Sequence, residues 1–237
     1  MTIGIVGQGA FGKFLLKALP KKCEYKTYDI NQSNSANNST FDEVIDVDIL
    51  IIAIPFFSFD DFFKKAEGKI KPETLVIDIC SVKTLPTEII KRYLKNHRNL
   101  LLTHPLFGPQ SASDSFEGHT LIITDSTGET AKSVLDYCDK YLGLKIMKMT
   151  AEEHDKTMAQ VHALTFFAAR GLGAMKLPEV TFQTPSYNEI LDLIALDNTH
   201  SEDLFQTIQL GNPYAKEIRE QFINALTEVN QGLKTDD

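Results

Sequence analysis

Two polar segments, each placed directly after an apolar run, contain side chains that could move a proton. One reads Asp78-Ile-Cys-Ser81-Val-Lys83 and the other His104-Pro-Leu-Phe-Gly108. Removing a hydride from a carbinol carbon requires a base for the hydroxyl proton, and imidazole has a suitable pKa. We therefore predict that His104 is a catalytic base and that Ser81 orients both the imidazole and the substrate. Spacing alone leaves open a histidine that only bonds a turn and a serine that only caps the next helix.

The first dozen residues predict where an oxidising cofactor would bind. An apolar strand, Thr2 to Val6, leads into Gly7-Gln8-Gly9-Ala10-Phe11-Gly12 and then into a helix. In this strand, turn and helix context, G-x-G-x-x-G is the fingerprint of a dinucleotide site. The first glycine allows the tight turn, the second lets a pyrophosphate approach, and the third lets the helix pack on the strand. The diphosphate would bind free N–H groups at the helix start.

Asp29 indicates which dinucleotide the chain prefers. It ends a second strand, about 20 residues after the glycine turn, where a carboxylate accepts hydrogen bonds from ribose hydroxyls and repels a 2′-phosphate. No arginine follows it, so NAD is expected over NADP; the alternative is an aspartate that only caps a helix or turn. A third strand, Asp48 to Ile54, is closed by Pro55 and should end at the same crevice. The expected cofactor contacts are Gly7, Gln8, Gly9, Ala10, Phe11, Gly12, Asp29, Ile54 and Pro55.

The order of apolar patterns predicts an α/β domain followed by a smaller all-helical domain. Strand-like runs alternate with helical patterns over residues 1–149, which is typical of a doubly wound (Rossmann) parallel sheet. Thr150-Ala-Glu-Glu153 is a capping-box signature, and only helical patterns follow it, beginning with a long one from about Ala151 to Met175. We expect a dinucleotide-binding domain over 1–149 and a helical domain over 150–237.

Composition excludes several classes of partner and location. The chain has 237 residues, 43% of them hydrophobic, and a formal charge of −8, which argues against nucleic-acid binding. Its three cysteines are far apart and lack C-x-x-C spacing, so neither a disulfide framework nor a metal site is expected. With no signal-peptide pattern and no apolar run long enough to span a bilayer, we expect a soluble, cytoplasmic protein that does not bind membranes.

Four motifs together resemble the prephenate/arogenate dehydrogenase family of tyrosine biosynthesis. They are the glycine turn, the Asp78 to Lys83 segment, His104-Pro-Leu-Phe-Gly108-Pro and Glu153-His154-Asp155, in order over nearly the whole chain. The resemblance implies NAD-dependent oxidative decarboxylation of prephenate to 4-hydroxyphenylpyruvate, or of arogenate to tyrosine. It implies that His104 accepts the proton of the ring hydroxyl and that Ser81 bonds the same hydroxyl. It also implies a homodimer formed through the helical domain, which binds the substrate.

The residues that would hold the substrate's side chain are less closely matched to the family. His162 and Arg170 share one face of the long helix, yet His162 stands one to four positions before the usual histidine. Asn188 stands where some bacterial relatives have an arginine that holds a substrate carboxylate. The sequence therefore leaves open whether the substrate is prephenate or arogenate. The expected substrate contacts are Ser81, Lys83, His104, Gly108, His162 and Arg170.

Each of these interpretations has an alternative. Lys83 could be a solvated lysine at a helix start, His162 a core or interface residue, and Arg170 part of a surface salt bridge. His154 and Asp155, in the first turn of a helix, are interpreted as having no catalytic role, since an acid there already suits the helix dipole.

Two other functions remain open at this stage. The first is another two-domain dehydrogenase or an imine reductase, although such enzymes usually use a lysine within the helical domain and the long helix has only Lys156 and Lys176, at its ends. The second is a protein that senses a dinucleotide without turnover. Independently of function, the short and apolar helical domain favours a homodimer, because a partner would cover its exposed faces.

Overall fold

The chain divides into two units, Met1–His154 and Asp155–Asp237. The computed structural model describes residues 1–32 and 38–233 of them. The first unit is built around one sheet and the second is built from helices, so each is described by itself.

One seven-stranded sheet, in the order β2-β1-β3-β4-β5-β6-β7, forms the centre of the first unit. The first five strands are parallel to one another, as the alternation of strands and helices predicts. Their carboxyl ends therefore lie along one edge of the sheet. The strands are β1 (Thr2–Val6), β2 (Glu24–Tyr28), β3 (Ile49–Ile52), β4 (Leu75–Asp78), β5 (Leu100–Pro105), β6 (Thr120–Thr127) and β7 (Lys145–Lys148).

The predicted parallel sheet is confirmed except at the β5/β6 pair. β6 runs antiparallel to β5, and β7 runs parallel to β6. Residues 106–119, which join β5 to β6, contain no helix. Parallel neighbours need a crossover connection, usually a helix, whereas antiparallel neighbours can be joined by a loop. The α/β fold class is confirmed, with a sheet that is mostly parallel.

Helices cover both faces of the sheet. Along β3, Leu50 and Ile52 pack into the core on the side of α2, α3 and α4, while Ile49 and Ile51 pack into the core on the side of α1 and α5. This two-sided burial explains why β3 is apolar at every position. The helices are α1 (Ala10–Ala18), α2 (Phe41–Ile45), α3 (Phe59–Ala66), α4 (Thr84–Tyr93) and α5 (Glu129–Lys140).

The second unit has a small core around Phe166 and Ile208, and no strand occurs in its described part. The predicted long helix is confirmed as a continuous helical run that includes one π-helical turn, Ala159–Ala163. The capping box at its start is also confirmed, since the Thr150 hydroxyl accepts from the Glu153 N–H and the Glu153 carboxylate accepts from the Thr150 N–H. The remaining helices are α6 (Ala151–Met158), which begins in the first unit, α7 (Leu164–Ala174), α8 (Pro185–Asn198), α9 (Glu202–Gly211) and α10 (Ala215–Gly232).

Neither a membrane-crossing helix nor a metal-binding cluster occurs in the described part of the chain. No helix there combines the length and the apolar character needed to cross a bilayer. No group of three or more histidine, cysteine or acidic side chains in those residues could hold a metal ion. Cys23, Cys80 and Cys138 are not disulfide-bonded.

Candidate active site and cofactor loop

The glycine turn has the close packing and the open space that a dinucleotide loop needs. Gly7 has a φ of 99°, and a Cβ added there would lie 2.2 Å from the Ala53 carbonyl oxygen. A Cβ added to Gly12 would lie 2.0 Å from the Gly7 oxygen. In contrast, a Cβ added to Gly9 would meet no heavy atom within 4 Å. The loop is therefore closed against the sheet at Gly7 and Gly12 and open at Gly9, where α1 begins and a diphosphate would approach.

The other predicted cofactor residues lie around this loop. The Asp29 carboxylate follows β2 and accepts hydrogen bonds from the Gln8 N–H at 2.7 Å and the Asn31 N–H at 2.8 Å. A carboxylate has about four acceptor positions, so it can also accept from ribose hydroxyls. Ile54 and Pro55, both half-buried, follow β3, and the Ile54 side chain lies beside Gly7. Ala10 and Phe11 form the first turn of α1.

A buried ion pair joins the ends of β4 and β5. Lys83 and Asp78 are both 0% exposed, and the Lys83 ammonium donates to the Asp78 carboxylate and to the Thr103 carbonyl oxygen. The Thr103 hydroxyl donates to the Asp78 carbonyl oxygen at 2.8 Å. Burial raises the pKa of Asp78, while the Lys83 ammonium, the Cys80 N–H and His154 act in the opposite direction. The alternative of a solvated lysine at the start of α4 is wrong.

The predicted catalytic residues lie on these neighbouring strand ends. Asp78 pairs with Leu102 in the β4/β5 register, so the segment with Ser81 and the end of β5 with His104 leave the sheet side by side. Ser81 is half-buried and His104 is 5% exposed. Gly108, three residues beyond β5, donates its N–H to the Ser111 hydroxyl. The fold thus brings Ser81, Lys83 and His104 to one edge of the sheet, which is the edge where ligands bind in this class of fold.

His154 is the residue of this site that the sequence interpretation missed. Its Nε2 lies 2.8 Å from Nδ1 of His104, the two rings meet edge to face at a centroid distance of 5.0 Å, and His154 is fully buried. The capping box predicted where the helix begins, and hence that His154 lies in its first turn. The contact with His104 joins residues 50 positions apart, and no local pattern reports such a contact.

The two remaining predicted residues belong to the second unit. The His162 ring lies in the π turn with its centroid 4.8 Å from that of Phe166. The Arg170 guanidinium donates to Asp197 at 2.7 Å and to Glu202 at 2.8 Å, which raises the pKa of Arg170. These contacts form the salt bridge that the sequence interpretation left open. Substrate binding by either residue stays a prediction.

Two comparisons with known sequences agree with this architecture. The sequence profile of the prephenate dehydrogenase nucleotide-binding domain matches residues 18–148, more than half of the chain, and a TYRAAT1-like C-terminal domain profile matches residues 171–237. Arogenate dehydrogenase 2, chloroplastic, from Arabidopsis thaliana is 27% identical over 98% of this chain and 70% of its own length. A probable arogenate/prephenate dehydrogenase from Methanocaldococcus jannaschii is 30% identical over 80% of this chain and 44% of its own length.

Solved structures show the same fold. The prephenate dehydrogenase from A. aeolicus, crystallised with hydroxyphenyl propionate and NAD+, superposes with a TM-score of 0.76 at 20% identity, covering 98% of this chain and 90% of that one. The chain spans less than half of the archaeal relative, so relatives carry sequence beyond the part matched here. Because the matching profile covers more than half of the sequence, the chain belongs to the prephenate dehydrogenase family.

Proposed function

We propose that this protein oxidatively decarboxylates prephenate or arogenate with NAD as the hydride acceptor. The observation that carries the proposal is the buried His104, at the carboxyl end of β5 beside the segment with Ser81, in a chain of the prephenate dehydrogenase family. An Arabidopsis relative is named arogenate dehydrogenase and an archaeal relative arogenate/prephenate dehydrogenase, which supports this substrate class.

The residues of the glycine loop fit a bound dinucleotide. The space beside Gly9 would take the diphosphate, and the Asp29 carboxylate would take the adenosine ribose and disfavour a 2′-phosphate. Ile54 and Pro55 would line the cofactor where β3 ends. When bound, NAD supplies the hydride acceptor, and the chain's own residues supply orientation and proton transfer.

His104 handles the proton of the reaction. Its imidazole takes the proton of the ring C4 hydroxyl while the C4–H bond breaks and its electron pair leaves as hydride. Ser81 bonds the same hydroxyl and keeps it in reach of the imidazole. Breaking the bond between the ring and its carboxylate then releases CO2, the electron pair makes the ring aromatic, and the phenol oxygen recovers the proton. Aromatisation makes the overall reaction effectively irreversible.

The remaining site residues have supporting roles in this proposal. Lys83, fully buried on Asp78 and the Thr103 carbonyl oxygen, would act by supporting the strand ends that lead to Ser81 and His104. Gly108 lies in the segment that follows His104. In the helical part, over residues 150–237, His162 and Arg170 are the candidates for holding the substrate's side-chain carboxylate, since a guanidinium pairs well with one.

The proposal also includes a homodimer and a cytoplasmic location. Ile223, Leu226 and Val229 are exposed apolar side chains spaced along α10, which a second copy would cover. Free cysteines accord with a reducing compartment. We expect light scattering at micromolar concentration to give twice the chain mass, and a monomer would contradict the dimer.

Replacing His104 tests the proposed function. We expect His104→Asn to lower kcat for NADH formation by about 10³-fold or more, because the proton acceptor is lost, while NAD binding stays within threefold of wild type. The matched control is His97→Asn, because His97 bonds the Thr74 carbonyl oxygen in the same unit without contact to the site. Equal turnover by wild type and His104→Asn would contradict the role of His104.

A further inference from the structure

The hydrogen bond between His104 and His154 determines whether His104 can act as a base. The nitrogens it joins, Nδ1 of His104 and Nε2 of His154, are 2.8 Å apart, and both rings are buried. Between two neutral imidazoles one nitrogen donates and the other accepts. The direction of this bond therefore fixes the tautomer of both rings.

Only one direction is compatible with catalysis by His104. With Nδ1 turned to His154, a substrate hydroxyl would have to bind Nε2, and Nε2 can accept a proton only if it carries none. The ring proton must then lie on Nδ1 of His104 and be donated to Nε2 of His154. In the opposite direction, Nε2 of His104 would already hold a proton and could not serve as the base.

The surroundings of His154 restrain its position. Its ring is attracted electrostatically to the buried Asp78 carboxylate, and its backbone N–H donates to the Thr150 carbonyl oxygen within the capped first turn of α6. The ring is thus held on a fixed helix start. When His104 takes the substrate's proton it becomes an imidazolium, and the bond to His154 then stabilises that cation.

We propose that His154 is a positioning residue that holds His104 in the Nδ1–H tautomer and thereby presents a bare Nε2 to the substrate hydroxyl. The inference rests on the proposed function only in the assignment of His104 as the base. The tautomer itself can be measured without substrate, so the two can fail separately.

The first test reads the tautomer directly. Long-range proton–nitrogen NMR of the full-length wild-type protein, with His104 signals assigned by their loss in His104→Asn, distinguishes a protonated Nδ1 from a protonated Nε2. We expect neutral His104 to carry its proton on Nδ1 in the wild type and to change to Nε2 in His154→Leu. A wild-type His104 protonated on Nε2, or no change in His154→Leu, would overturn the proposal.

The second test compares two replacements of His154 in turnover. Leucine removes the acceptor, whereas the side-chain oxygen of glutamine can still accept from Nδ1. We expect His154→Leu to lower kcat by about 10²- to 10³-fold with KM within threefold, a smaller effect than the roughly 10⁴-fold loss seen when the catalytic histidine of a serine protease loses its orienting carboxylate. The kcat of His154→Gln should be at least tenfold higher than that of His154→Leu.

Controls separate this effect from unfolding and from a wrong function. Thermal unfolding followed by circular dichroism checks that both variants are folded, and His97→Leu should change neither the His104 tautomer nor kcat. Equal kcat for the leucine and glutamine variants would overturn the positioning role. A wild type that turns over neither prephenate nor arogenate would contradict the proposed function. If it still shows the expected tautomer, the claim that His154 holds His104 in the Nδ1–H tautomer remains supported.

Discussion

Lys83 and Arg170 are both paired with carboxylates, and the two pairings differ in burial. In the first unit Lys83 and Asp78 are both 0% exposed. In the second unit Arg170, which donates to Asp197 and Glu202, keeps 37% of its side chain exposed and stacks on the Phe205 ring at 3.9 Å. The Lys83 ammonium is fully buried, so its charge acts within the protein interior. The guanidinium of Arg170 still presents surface that a ligand could reach.

The difference in burial assigns different roles to Lys83 and Arg170. A fully buried pair stabilises only as long as both partners are present, because removing one leaves an uncompensated charge in the interior. The Arg170–Glu202 pair, with 37% and 59% of the side chains exposed, is screened by water and can exchange partners at small cost, whereas the second partner, Asp197, is only 4% exposed. We therefore assign Lys83 to the support of the strand ends and keep Arg170 as the candidate contact for an anionic substrate.

Removing each cation is the change with the largest expected effect on stability. We expect Lys83→Met to lower the free energy of unfolding by about 3–5 kcal/mol, because Asp78 stays behind as a buried unpaired carboxylate. Arg170→Met should lower it by less, about 1.5–3 kcal/mol, because Glu202 stays solvated and only Asp197, which is 4% exposed, loses a charge-assisted hydrogen bond in the interior. Urea titration of the full chain followed by circular dichroism measures both.

A double variant provides the control for the lysine. Lys83→Met combined with Asp78→Leu removes both charges and should recover part of the lost stability. If Lys83→Met is no less stable than Arg170→Met, the contrast between the two ion pairs is wrong.

Two glycines of the turn, Gly12 and Gly9, allow a similar comparison between a closely packed position and an open one. Gly12→Ala would place a methyl group 2.0 Å from the Gly7 oxygen, so the turn must shift, and we expect both stability and NAD affinity to fall. Gly9→Ala meets no atom within 4 Å and should leave the unfolding midpoint unchanged. It should still weaken NAD binding by about tenfold or more, because the methyl group takes the space of the diphosphate. Calorimetric titration with NAD and thermal unfolding separate the two effects. Unchanged NAD affinity in Gly9→Ala would contradict the placement of the diphosphate.

Cys138 provides the smallest and most local test of burial. Burial raises the pKa of its thiol to about 11, so the reactive thiolate is scarce at pH 8. We expect iodoacetamide to label Cys138 slowly at pH 8 and much faster above pH 10, as measured by peptide mass spectrometry. An unfolded cysteine has a pKa of about 8.5, so the folded state binds the thiol proton more tightly. The stability that this difference in pKa contributes is therefore lost as the pH rises from about 8.5 to 11. Rapid labelling of the folded protein at pH 8 would contradict the buried environment.

The sequence was most informative where chemistry and local structure coincide. The glycine turn, the acid at the end of β2 and the capping box at Thr150 are each defined by residues within one strand, turn or helix start. The structure places all of them as their patterns predict.

Features that depend on distant parts of the chain could not be predicted. The burial of Lys83 could not be predicted, because nothing local shows that the carbonyl oxygen of Thr103, 20 residues later, accepts a hydrogen bond from its ammonium. The contact between His104 and His154 depends on how the start of α6 packs against β5. The reversal of β6 depends on a connection without a helix, and its residues carry no signal for strand direction.

The central claim is that the site beyond β4 and β5 oxidises and decarboxylates a cyclohexadienyl substrate. The most direct measurement follows NADH at 340 nm and CO2 release by the wild-type protein supplied with NAD and, separately, prephenate or arogenate. The account predicts that at least one of the two gives NADH and CO2 in equal amounts. No NADH from either substrate, under conditions where calorimetry shows NAD to be bound, would contradict it.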